Sequence, residues 1–487
     1  MQDSKASPHD SGDIPSEEIR KNASLITGIF TEYLDNIENY PVLPKLNRGD
    51  LKAALAEHPP EEGEPLADIL KDFEKLILPA ATHWNHPNFH GLFATSGSAV
   101  GAIADFLSSM LDMKGMLWRT APASVELEEL TLDWLSELLG LEERFKGLIY
   151  DTASISTMHA LAAARERLGF GIRQSGMAGR SGLPLLRTYA SDQVHSSIDK
   201  SCITLGLGLD SLKKIPSDEK FVMRADLLNQ AIEEDLRSGI QPMAVVATIG
   251  TTSTTSVDPV NDIAQICERH KLWLHVDAAY AGPAAMLEEK RHFFSGWERA
   301  DSIVVNPHKW LMTPFDLSVL YLRRIEALSQ AFSLVPEYLK TPDMPQTANP
   351  MDYGIQLGRR FRSLKLWFVM RYFGKKGLVS RLRRHCRLAE YFAEEIAKEG
   401  DFELMAPVNF ALVVFRAKSK DVVNPDEFNL RLLEEINSSG EAFISHTVLG
   451  GKVALRLSVG SLHTRKEHID KIIRVIKDKT GQMLKAT

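Results

Sequence analysis

Cysteine is scarce in this chain: only Cys202, Cys267 and Cys386 occur in 487 residues. Three widely separated thiols, none in a CxxC pair, exclude a disulfide framework and a cysteine-based metal site, and they fit a reducing compartment. Long hydrophobic runs are lacking too. No stretch nears the ~18 apolar residues of a membrane span, so no membrane association is expected. The N-terminal MQDSKASPHDSGD has no apolar centre and does not read as a secretory signal, which makes cytoplasmic residence the expectation. Positive charge is in deficit, with 57 Lys and Arg against 64 Asp and Glu and a formal net charge of −7. That balance argues against a nucleic-acid partner and against an anionic membrane surface. What is present is a globular composition, 44% hydrophobic and 25% charged, in a chain long enough for about three domains of ~150 residues.

Residues 1–15 are polar, carry two prolines and read as a frayed tail. At Ser16 the pattern changes. Ser16 reads as an N-cap, Glu17 and Glu18 fall in the first turn, and Ile19, Ala23, Ile26, Phe30, Tyr33 and Ile37 recur at steps of 4 and 3. The spacing predicts an amphipathic helix whose apolar face packs either on its own domain or on a second subunit. The centre of the chain alternates helical stretches with short β-branched runs: 147–154, 244–250, 272–278, 302–307 and 318–322. Such runs predict a mostly parallel sheet covered by helices on both faces, with ligands at the carboxyl ends of its strands. Beyond LKLWFVMRYFG the pattern turns α+β, with helices near 378–398 and 425–437, a strand near 410–416 and clean alternation in VALRLSVG (453–460). The expected organisation is a tail and helical segment (1–95), a large α/β domain (96–370) and a C-terminal α+β domain (371–487).

Two strings carry the chemistry. In HVDAAYAG (275–282) an apolar run delivers Asp277 to a strand end followed by small residues. In NPHKW (306–310) a second run delivers Lys309, 32 positions later (309 − 277), between His308 and Trp310. A carboxylate at one strand end and a lysine at the next are what pyridoxal 5′-phosphate (PLP) requires. The lysine forms the Schiff base, and the carboxylate keeps the pyridine nitrogen protonated so that the ring can accept electrons. The small residues would leave room for a flat ring on the backbone. DTASIST (151–157), between an apolar run and a helical one, offers the backbone N–H groups and hydroxyls that a phosphate needs.

Together with THW (82–84), SDQVHSS (191–197) and LGRRFRSLKLWF (357–368), these strings give a specific resemblance. The chain resembles the PLP-dependent group II amino-acid decarboxylases, in the aromatic-L-amino-acid decarboxylase branch, from about residue 16 to the C-terminus. The resemblance implies PLP fold type I, a homodimer clasped by the N-terminal helical segment, and an amino-acid substrate. It assigns Lys309 to the cofactor aldehyde, Asp277 to the ring nitrogen, His195 to one ring face and Ala279 to the other. Thr152, Ala153 and Asn306 then contact the phosphate with His308 beside them, and Thr252 orients the cofactor. The chain departs from many relatives in the phosphate turn, where it carries Asp151 and Ile155. Trp84, Leu92, Phe93, Thr95 and Gly358 are implied on the substrate side, with Leu92 replacing an aromatic residue common in animal relatives. Tyr338, in the proline-rich stretch 336–345, is implied as the proton donor that yields an amine, where relatives with Phe yield an aldehyde.

The three histidines of 82–95, His83, His86 and His90, have neither helical spacing across Pro87 nor an accompanying carboxylate or cysteine, so no metal is expected. An aminotransferase of the same fold would need an arginine for the substrate carboxylate. A decarboxylase of an acidic amino acid would need basic residues in the pocket. A non-catalytic scaffold is hard to reconcile with intact Lys309, Asp277, His195 and Tyr338.

Overall fold

The computed structural model describes residues 13–334, 349–418 and 422–486. A seven-stranded sheet forms its centre, built from β1 (Lys146–Tyr150), β2 (Leu186–Ser191), β3 (Leu212–Ile215), β4 (Gln241–Thr248), β5 (Trp273–Asp277), β6 (Ser302–Val305) and β7 (Ser318–Leu322). The strand order is β1-β7-β6-β5-β4-β2-β3. β7 alone runs against its neighbours β1 and β6, and the pairings from β6 through β3 are parallel.

Strands β4 to β7 are buried along nearly their whole length, which is why they read as continuous apolar runs rather than alternating ones. Their side chains still divide between two layers. Ala244 and Val246 join the core under helix Ala153–Arg167, whereas Val245 and Ala247 join the core under helices Pro122–Leu139 and Val260–His270. The sequence runs named five of the seven strands. β2 and β3 escaped because LRTYAS and LKKI mix polar residues into the apolar pattern, and β3 lies at the sheet edge.

A second sheet, β8 (Phe402–Leu404), β9 (Leu412–Ala417), β10 (Ser445–Leu449) and β11 (Lys452–Ser458), is antiparallel in the order β10-β11-β9-β8. Its inner face shares a core with the first sheet through Phe392, Phe415 and Leu457. The helix expected near 378–398 begins earlier. It spans Ser363–Ala397 and is interrupted at Gly374, whose φ of 60° only glycine adopts readily.

The N-terminal helix spans Ser16–Asp35, with Pro15 rather than Ser16 at the cap position and no side-chain cap. Proline fixes the φ that the capping residue needs, and Ser16 enters the first turn. The helix buries only Asn22, while Ile19 and Ile26 stay exposed. Among the described residues its apolar face is therefore only partly covered.

A buried ion pair ties the sheet to the segment after position 349. Arg359 donates to Glu128 Oε1 at 2.6 Å and to the Ile149 carbonyl at 2.7 Å, while Glu128 accepts the Ile149 N–H at 3.0 Å. Removing one partner of such a pair costs roughly 3–5 kcal/mol because the other charge stays buried. Arg359→Ala should therefore lower the melting temperature by several degrees, and Glu128→Leu combined with Arg359→Met by distinctly less. Equal losses in the two proteins would show that the uncompensated charge is not the cause.

Candidate active site

Three parallel strands end level with one another. Thr248 pairs with Asp277, and Asp277 pairs with Val304. The ladder continues past the strand ends, with Ile249 N–H on the Asp277 carbonyl, Ala278 N–H on Val304 and Asn306 N–H on Ala279. A cavity of about 230 Å³ opens above this edge, lined by Thr152, Ala153, His195, Thr252, Asp277, Ala279, Asn306, His308 and Lys309. The structure thus brings together all nine residues expected around a cofactor. Of the small residues after Asp277, only Ala279 lines the cavity. Ala281 packs on Gly250, and Gly282 leaves space for Val305, which an added Cβ would meet at 2.7 Å.

Helix Ala153–Arg167 points its N-terminus at this cavity. Thr152 occupies the cap position in extended conformation but caps no helix N–H, so the first-turn amides of Ala153 and Ser154 are open to an anion. The Thr152 hydroxyl and N–H both donate to Asp151, whose other oxygen accepts from Gln356. On the opposite wall, His308 Nδ1 accepts the Leu317 N–H at 2.8 Å, which leaves the neutral ring's proton on Nε2. Asn306 Nδ2 lies 3.4 Å from that nitrogen, and its Oδ1 is buried without a hydrogen-bond partner among the described residues. With Oδ1 turned to accept the His308 proton, Asn306 presents its NH₂ to the cavity as a donor for a phosphate oxygen.

The charged groups are held in dry surroundings. Burial pulls the Lys309 amine below its usual value, and Asp277 partly opposes the shift. Asp277 accepts the Ala279 N–H at 3.0 Å. Among the described residues it makes no ion pair, so its remaining acceptor capacity is available to a cation in the cavity. Burial, with Lys309 adding to it, lowers His195 and pulls His308 down to about 3. His195 Nδ1 accepts the Ser197 N–H at 3.1 Å, which fixes the proton of its neutral ring on Nε2. This donor set fits PLP: a nucleophilic amine, a carboxylate for a pyridinium, and amides with an orphaned polar atom for a phosphate.

On the substrate side, Phe93 stacks on Tyr280 with centroids 3.9 Å apart, and Tyr280 stacks on Trp310 at 4.9 Å. Lys309 Nζ lies 5.5 Å from the Phe93 centroid. Trp84 and Thr95 line an adjoining cavity that shares His308 and Phe315 with the first. Leu92 is half-exposed beside them with φ 54°. Gly358 is not brought to this place; it lies in a separate concavity with Lys114 and Arg360. Tyr338 lies outside the described residues. His83, His86 and His90 are engaged with Tyr33, Asn88 and Ser458 respectively, and no cluster of three metal-ligating side chains occurs among the described residues.

Residues 49–418 match the family model described as the pyridoxal-dependent decarboxylase conserved domain. The chain belongs to the pyridoxal-dependent decarboxylase family. It is 36% identical to tyrosine decarboxylase 2 of Narcissus pseudonarcissus, over 96% of this chain and 95% of that one. It is equally 36% identical to phenylacetaldehyde synthase of Arabidopsis thaliana, over 96% and 97%. Among solved structures, Oryza sativa TDC with PLP and tryptamine superposes with a TM-score of 0.92 at 35% identity, covering 97% of this chain and 99% of that one. The fold is therefore PLP fold type I, the cofactor is PLP, and the protein is a carboxy-lyase of the aromatic amino-acid decarboxylase group.

The decarboxylase site also contains residues that the sequence reading passed over. Thr248 ends β4 level with Asp277, and its buried hydroxyl has no partner among the described residues; the strand-end rule that selected Asp277 selects it equally. Tyr280 sits inside HVDAAYAG between Ala279 and Ala281. Arg456, a charge in the middle of the alternating strand VALRLSVG, is buried close to Phe93.

Because the neutral amine is the nucleophile, a lowered Lys309 pKa means that the reactive form is reached at lower pH. Covalent capture of a small aldehyde by the cofactor-free decarboxylase should rise with pH around a midpoint below 10.5. Asp277→Asn should move that midpoint lower still, since Asp277 favours the charged amine. A midpoint at or above 10.5 would contradict the burial argument.

Proposed function

We propose that this decarboxylase acts on an aromatic L-amino acid and releases carbon dioxide and the corresponding arylalkylamine. The observation that carries the substrate class is the Phe93–Tyr280–Trp310 stack beside Lys309. An aromatic side chain gains both area burial and stacking there. Apart from Lys309, the described basic group lying against this stack is Arg456, 5.7 Å from the Phe93 centroid, and the Phe93 ring covers it. That shielding argues against an acidic substrate.

When bound, PLP supplies the electron sink for the bond to the departing carboxylate. Lys309 would hold it at the aldehyde carbon, Asp277 at the ring nitrogen, and the Thr152–Ser154 turn with Asn306 at the phosphate. His195 would offer its Nε2–H from one side of the cavity. Tyr338 would deliver a proton to the substrate α-carbon after carbon dioxide leaves. Relatives at equal identity include both decarboxylases and aldehyde synthases, so overall similarity does not choose the product. The hydroxyl at position 338 is the basis for choosing the amine.

We further propose that two copies associate through the partly uncovered apolar faces of helices Ser16–Asp35 and Ala99–Leu111, where Ile19, Ile26, Phe106 and Met110 are exposed. No helix among the described residues is long and apolar enough to cross a membrane. The three buried free thiols accord with a reducing cytoplasm.

Tyr338→Phe is expected to change the product. Carbon dioxide release should continue, while amine gives way to aldehyde, ammonia and hydrogen peroxide at the expense of dissolved oxygen and water. Amine, aldehyde and peroxide should be measured side by side in both proteins, over a panel that includes tryptophan, DOPA, tyrosine, phenylalanine and glutamate. Unchanged amine with no peroxide would remove Tyr338 from this role, and turnover confined to glutamate would overturn the substrate class.

A further inference from the structure

A buried cation without a carboxylate partner stands behind the substrate pocket. Arg456 on β11 is only 4% exposed, and none of the described carboxylates pairs with it. Its guanidinium is spent in three directions. Nη2 donates to the Thr252 carbonyl at 2.5 Å and Nε to the Ser253 carbonyl at 3.1 Å, both on the loop that lines the cofactor cavity. Nη1 donates to Ser445 Oγ at 2.9 Å, and the same oxygen accepts the Leu92 N–H at 3.0 Å. The guanidinium carbon also lies 5.7 Å from the centroid of Phe93, a ring that has Lys309 Nζ at 5.5 Å.

An uncompensated buried charge is costly unless its geometry is used, and a planar fork serves three divergent acceptors where an ammonium cannot. Leu92 supplies a second sign of constraint, since its φ of 54° is rare for a non-glycine residue and has to be held by its surroundings. We propose that Arg456 is a positioning residue that locks the substrate-side segment Leu92–Phe93 and the cofactor-side loop at Thr252 into one geometry, so that the small sheet sets the shape of the aromatic pocket. The assignment rests on the aromatic-substrate reading for its kinetic consequence, though not for its effect on the bound cofactor.

The test compares PLP-loaded wild type with Arg456→Lys, Arg456→Met and Ser445→Ala, measuring KM and kcat for an aromatic amino acid and the visible circular dichroism of bound PLP without substrate. Arg456→Lys should raise KM roughly tenfold or more, the size of one lost charge-assisted hydrogen bond, with kcat changed much less. The dichroism of PLP should shift because Thr252 is released. Ser445→Ala should move both readouts in the same direction by less, and it keeps the test decisive if Arg456→Met fails to fold. Wild-type KM and dichroism in Arg456→Lys and Ser445→Ala, with only the melting temperature lowered, would overturn the proposal. If wild type turns over no aromatic amino acid, the substrate reading fails, and the dichroism alone still decides the role of Arg456.

Discussion

The parallel pairing of β4, β5 and β6 is the constraint on which the site depends. Parallel strands end on the same side of the sheet, so Thr248, Asp277 and Val304 stop at one level. The chain can then place a carboxylate and, one short turn beyond β6, a lysine at a common edge. Helix Ala153–Arg167 lies on the same sheet and ends its N-terminus above that edge. Phosphate, ring nitrogen and aldehyde are three chemically different ends of one cofactor. A parallel sheet meets them with three strand ends and one helix end, all fixed by backbone hydrogen bonds rather than by flexible side chains.

Burial then sets the chemistry of these groups. Burial lowers the Lys309 pKa, which brings its neutral, nucleophilic form to lower pH, and burial also lowers His195 and His308, the positive charge of the lysine adding to both shifts. Asp277 makes no ion pair among the described residues, so its carboxylate remains available to a cation in the cavity. The substrate side is built on different elements. The segment from Asn88 to Ala94 runs against the small sheet, where Phe443, Ser445 and Ser458 hold its backbone. The aromatic wall is therefore supported by one sheet and the cofactor floor by the other.

How much of this was legible in the sequence follows from the range of each signal. Asp277 and Lys309 were legible because local strings place them at strand ends, and strand-end geometry is a property of a few consecutive residues. The five strands that read as mainly apolar runs were legible for the same reason, whereas β2 and β3, with more polar residues, were not, β3 also lying at the sheet edge. Arg456 was hidden because its partners are backbone carbonyls of a loop some two hundred residues away, which no pattern encodes. Gly358 is a different case. A family resemblance attaches it to the substrate, but within one chain it lies beside Lys114 and Arg360, away from Lys309. Ser16 was displaced from the cap by Pro15, one step within a turn that propensity alone does not resolve.

Reductive trapping tests most directly the claim that Lys309 and Asp277 form one cofactor site. The PLP-loaded protein would be treated with borohydride, digested, and mapped by mass spectrometry for the pyridoxyl group. The account predicts a single modified peptide, carrying the label on Lys309 within NPHKW. It also predicts that Asp277→Asn still labels the same lysine but with an altered absorbance before reduction. A label on another lysine, Lys365 included, or none on Lys309 in protein that has bound PLP, would contradict it.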